Sequence, residues 1–129
     1  MGNYRQLSVW NRAHTFALAV YRTTQKFPSE ERYGLTVQLR RAVLSIVSNI
    51  AEGSGRQGDR EQVRFLRIAR GSVSEVECQL LLSRDLEYLD SNAWAVLDEQ
   101  CQSLARMLTG LIRSLTGTQM VIRNQRTSD

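Results

Sequence analysis

Proline is almost missing from this chain: Pro28 stands alone among 129 residues, and glycine is held to eight. Neither helix breaker recurs often enough to divide the sequence finely, so long stretches are free to stay helical. Histidine is represented by His14 alone and cysteine by Cys78 and Cys101. Two cysteines make no disulfide framework, and one histidine cannot complete a metal site with them at any common spacing. No metal and no cofactor are expected, and both thiols read as small, buried and inert. No apolar run approaches the ~20 residues needed to cross a bilayer. The opening MGNYRQLSVW is too polar for a signal peptide, and Met1-Gly2 followed by Gln6 is a poor myristoylation signal. A cytoplasmic protein without a membrane partner is expected.

Lysine is also scarce. Sixteen of the seventeen cations are arginine, against thirteen acids, for a net charge of +4. Residues 1–70 hold twelve cations and five acids, net +7, whereas residues 71–129 hold five and eight, net −3. Such asymmetry predicts a polarised surface.

What remains is helical pattern. Val9, Trp10, Ala13, Phe16, Ala17, Val20 and Tyr21 recur at the spacing of one helix face, and Pro28 stops that run. Leu35, Leu39, Ala42, Val43, Ile46 and Ile50 form a second face. The opposite side of that helix carries Gln38, Arg41, Ser45, Ser48 and Glu52, while Val37 and Leu44 lie outside both stripes. Asp59 and Gln62 stand at capping-box positions before a seam of Val63, Leu66, Ala69, Val73, Val76 and Leu80. Phe65, Ile68, Leu82, Leu86 and Leu89 suggest a second contact surface on the same helix. After the N-cap types Asp90-Ser91-Asn92, the residues Trp94, Leu97, Cys101, Leu104, Leu108, Leu111 and Leu115 alternate +3 and +4. The expected fold is all-α, an antiparallel up-and-down four-helix bundle with helices at about 8–27, 30–53, 59–89 and 91–116. Residues 1–117 form the domain and 118–129 read as a flexible tail.

The stretch IVSNIAEGSGRQGDREQ raises the question of a site. Ser54 to Gly58 lacks phosphate-loop spacing and follows a helix C-terminus, whose dipole repels phosphate, so Gly53 and Gly55 read as a cap and reversal. Glu52 in a last helical turn needs a cation, and Arg56 at i+4 or Arg41 could supply it. Asn49 at the edge of the apolar face needs amide partners if buried. Glu52, Asn49, Gly53 and Arg56 therefore read as a polar network or subunit contact. Gly71-Ser72 in mid-helix suggests a close approach of helix two or another subunit, with Glu75 or Glu77 able to meet Arg40 or Arg41. Arg60, Arg64 and Arg67 fall within ~60° of arc, with Arg70 at the edge, a stripe able to follow a phosphate backbone or simply to stay solvated.

The segments KFPSEERYGLTVQLRRAVLSIVSNIAEGSGR and FLRIARGSVSEVECQLLLSRDLEYL resemble the four helix bundle proteins, also called 23S rRNA intervening sequence proteins. The likeness runs from Leu7 to about Leu115. It implies a small helical bundle that assembles as a pentameric ring, similar in fold to the accessory protein of diversity-generating retroelements, which binds nucleic acid and a reverse transcriptase. It implies no catalytic residue. Arg40, Arg41, Asn49, Glu52, Gly53, Gly71, Ser72 and Glu75 map onto its motifs as structural or interface positions. Where the family usually reads SIPSNIAEG, this chain has Val47, and the missing proline predicts a straighter helix two.

Two functions follow as expectations. One is a non-enzymatic, ring-forming scaffold that binds RNA or DNA through Arg60, Arg64, Arg67, Arg70, Arg40 and Arg41. The other is a protein-interaction adaptor, such as an accessory subunit of a reverse transcriptase, using Val37, Leu44, Phe65 and Ile68. Catalysis by Glu52 or Glu75 would need a second carboxylate or a base nearby, and none is evident.

Overall fold

The computed structural model describes the backbone of residues 3–127 and the side chains of residues 3–117. Four helices, α1 (Ser8–Thr24), α2 (Leu35–Ser54), α3 (Asp59–Asp85) and α4 (Ser91–Thr127), account for most of it, with short 3-10 turns at Tyr4–Gln6 and Ser29–Glu31. Among the described residues there is no strand, and no helix is long and apolar enough to cross a membrane. Consecutive helices pack on each other and α4 closes against α1. Their direction alternates: Ser45 of α2 meets Ser72 of α3, while Gly53, further along α2, meets Phe65, earlier in α3.

The apolar stripes point inward. Phe16, Val20, Leu39, Val43, Ile46, Ile50, Val73, Val76, Leu80, Cys101, Leu104 and Leu108 are essentially sealed from solvent. Burial of this kind stabilises by roughly 25 cal/mol per Å² of apolar surface, so the core rather than helix propensity holds the fold. Burial also raises the Cys101 thiol to about 12, assisted by Glu77 and Asp98. Cys78 departs from the expectation of a buried thiol and is exposed.

The helix ends differ from those expected, each for a local reason. α1 stops at Thr24, because the amides of Lys26 and Phe27 turn to i−3 carbonyls ahead of Pro28. Ser29–Glu31 forms a separate turn rather than the start of α2. There is no capping box on α3: its N-cap is Gly58, at φ 86°, a value that favours glycine. α3 ends at Asp85 in a Schellman closure, with Glu87 at φ 65° and the Tyr88 and Glu87 amides bonded to the carbonyls of Ser83 and Arg84. Asp90 caps α4 by accepting the Ala93 amide at 2.7 Å. α4 then passes through Gly110 and Gly117 and continues to Thr127, so Gly117 does not end it. A single glycine weakens a helix by ~1 kcal/mol without breaking its hydrogen-bond ladder. The expected flexible tail, 118–129, is helical in its backbone as far as Thr127, while its side chains and residues 128 and 129 lie outside the described residues. α2 is uninterrupted across Val47.

Candidate nucleic-acid interface

α3 places Arg60, Arg64 and Arg67 on its solvent side, and all three are exposed. They line an open groove of about 600 Å³ with Val63, Glu61 and Thr116 of α4. Glu61 reaches Arg64 at 3.5 Å, a half-exposed pair of small energetic weight. No ion pair engages Arg60 or Arg67 among the described residues. Arg70 sits at the edge, as expected, half-buried, with its Nε donating to Thr109 at 3.2 Å and its Nη1 to Ser74 at 2.8 Å.

A second groove of about 370 Å³ lies one turn further along the same two helices, lined by Arg70, Gln102, Ala105, Arg106, Thr109, Gly110 and Arg113. Arg106 and Arg113 escaped the reading of the sequence. They lie seven apart on α4, in the half whose net charge is negative, and only the packing of α4 beside α3 brings them to the stripe. Arg106 pairs with Glu99 at 3.2 Å at the surface. The basic flank is thus built from both halves of the chain, which modifies the expected division into a basic and an acidic half.

The two α2 arginines do not join this flank. The Arg40 guanidinium donates to Thr24 Oγ1 at 3.0 Å and to the Tyr21 carbonyl at 3.3 Å, and lies 4.7 Å from the Tyr21 ring centroid. It braces the end of α1 against α2. Arg41 is exposed on the outer face of α2. Neither meets Glu75 or Glu77 in an ion pair among the described residues.

The polar motif residues lie mainly between α2 and α3. Ser72 donates to Ser45 Oγ at 2.8 Å, and the Asn49 amide donates to the Ser45 carbonyl at 2.8 Å and hydroxyl at 3.1 Å. Glu52 is paired with Arg56, one helical turn on, as the spacing predicts. The Arg56 and Arg64 guanidiniums lie 5.1 and 4.8 Å from the centroid of Phe65, so the half-buried ring holds both stems. Gly53 is buried where a Cβ would come within 3.2 Å of Phe65 Cβ, which makes it the close-approach glycine of the α2–α3 corner. Gly71 does not have that role within the protomer: it is exposed, with open space where a Cβ would stand. Glu75 is also exposed. Val37 and Phe65 are half-buried, whereas Leu44, Ile68 and Leu82 are 52%, 45% and 51% exposed. Among the described residues no group of three or more His, Cys, Asp or Glu is arranged to hold a metal ion.

Fold and flank together define an all-α four-helix bundle with a cationic groove along α3 and α4. Residues 5–110 match the model of the 23S rRNA-intervening sequence protein family, and the chain belongs to that family. Among solved structures it is similar to a protein of unknown function from the S23 ribosomal protein family of Bacteroides thetaiotaomicron. The two share 21% identity and a TM-score of 0.74 over 81% of this chain and 98% of the other, a likeness of fold. No curated protein matches.

Proposed function

We propose that the protein is a non-enzymatic, homo-oligomeric scaffold, five copies in a ring as the family resemblance implies, that binds nucleic acid through its arginine-rich surface. The observation that carries the reading is the exposed row Arg60, Arg64 and Arg67, two of its three guanidiniums without an acid partner among the described residues. Each phosphate contact such a row makes releases condensed counterions, so affinity falls steeply with salt. Repetition of the row around a ring strengthens the field beyond that of one protomer. Support for association comes from Leu44 and Ile68, which leave apolar surface open beside the small residues Ser48 and Gly71.

The exposed Leu44 and Ile68 also favour a second reading, an adaptor that binds a protein such as a reverse transcriptase without touching nucleic acid. Sedimentation of the purified chain, followed by electrophoretic shifts with structured RNA and duplex DNA across salt, separates the two. The scaffold reading expects a mass several times that of the 14.7 kDa protomer and salt-sensitive shifts. The triple variant R60E/R64E/R67E is expected to lose most of the shift. A monomer that binds no nucleic acid removes the proposal.

A further inference from the structure

We infer that the α3–α4 groove takes the phosphate backbone of a double-stranded nucleic acid, without regard to base sequence, and that α4 supplies half of the site. The inference rests on the nucleic-acid reading above and names the form of the ligand. Arg60 to Arg70 spans ten residues of α3, a rise of ~15 Å. One strand of a duplex presents a charge every ~3.4 Å of axis, so that length faces about four phosphates. The four arginines within that span, Arg60, Arg64, Arg67 and Arg70, match that number. Arg106 and Arg113 of α4 form a second row, with Thr109 between them and the Gln102 amide one turn before, while the Thr116 hydroxyl is taken up by the Ile112 carbonyl at 2.8 Å. Arg113 is exposed and makes no ion pair among the described residues.

The lining chemistry decides between duplex and single strand. Single-strand sites combine a cationic channel with aromatic faces on which successive bases stack. Among the described residues no aromatic side chain lines either groove. Their polar lining is made of guanidiniums, hydroxyls and an amide, groups that contact phosphate and sugar and carry no base information, together with a single acid, Glu61, paired with Arg64. Both rows stand on helices packed through Cys101, whose Sγ meets the Val73 carbonyl at 3.5 Å, so their spacing is fixed before binding. A fixed spacing suits a duplex, which is stiff over tens of base pairs, whereas a flexible strand must be ordered to fit it. Arg113 and Thr116 lie beyond residue 110, where the family match stops.

The test is a fluorescence-anisotropy titration of the full chain with a short mixed-sequence duplex and with each of its separated strands, over a range of salt. The duplex is expected to bind at least about tenfold more tightly than either strand, and a second duplex of unrelated sequence equally well. Arg67→Glu/Arg113→Glu is expected to weaken duplex binding at least about tenfold and to lower the salt slope by about 2, at ~0.9 for each phosphate no longer neutralised. Arg22→Glu, on exposed α1, serves as the charge control and circular dichroism checks the helices. Equal or tighter binding to single strands overturns the inference and leaves the proposed function standing. Duplex binding that is insensitive to Arg113→Glu alone overturns the role of α4. No binding to any of the probes overturns both.

Discussion

Ser72 of α3 reaches across to Ser45 of α2 and donates its hydroxyl at 2.8 Å, and Ser45 in turn accepts from Asn49. Ser72 is buried, so its hydroxyl has little access to water as an alternative partner. A neutral bond of this kind contributes about 1 kcal/mol net. Ser72→Ala is therefore expected to lower the unfolding free energy by that amount, read as a lower urea midpoint with an unchanged m-value, and Asn49→Ala to cost a similar amount.

Two glycines in motif positions should respond oppositely to alanine. At Gly53 the new Cβ meets Phe65 Cβ at 3.2 Å and the Gln62 carbonyl at 3.4 Å, atoms fixed to the backbone of α3. Overpacking costs ~1–3 kcal/mol, which outweighs the ~1 kcal/mol gain in helix propensity. Gly71→Ala meets nothing within 4 Å and keeps the propensity gain. Thermal unfolding is expected to show a lower Tm for the first variant and a higher one for the second.

Glu87 carries the left-handed conformation of the α3 closure at φ 65°. That region disfavours a residue with a Cβ by about 1 kcal/mol, partly offset by the greater freedom of glycine in the unfolded chain. Glu87→Gly is expected to raise stability by ~0.5–1 kcal/mol in chemical denaturation, and Glu87→Val to lower it.

The two thiols should separate kinetically. Thiolate is the reactive form, and burial holds Cys101 neutral to about 12 while Cys78 is exposed. A disulfide reagent at pH 8 is expected to titrate one thiol quickly in the native protein and the second only on unfolding. The sign for stability follows: a folded-state pKa above the unfolded value leaves stability intact at neutral pH and removes it as pH rises from about 9 towards 12. Cys101→Ser is expected to leave the fast phase unchanged, and Cys78→Ser to abolish it.

The bundle was legible in the chain because its stripes are regular. Val63, Leu66, Ala69, Val73, Val76 and Leu80 are all buried, as their spacing implies. On α4 the pattern holds through Leu108, but Leu111 is 38% exposed and Leu115 half-buried, since α1 begins only at Ser8 and α2 ends at Ser54. Periodicity names the face, and the reach of neighbouring helices decides how much of it is covered. The ends of α1 and α3 were less legible because they depend on i−3 amide bonds and on a glutamate with positive φ. Within the candidate site, the α3 row was visible as a helical arc. Arg106 and Arg113 were hidden by distance along the chain, and the Arg40 brace by the absence of any local pattern linking it to Thr24.

Glu31 serves two connections at once. One carboxylate oxygen accepts the Leu35 amide at 3.5 Å, where α2 begins, and the other accepts the Tyr88 hydroxyl at 3.1 Å, just past the end of α3. Two loops far apart in the sequence are thereby tied through one side chain. Removing that one carboxylate would leave both corners without their tie.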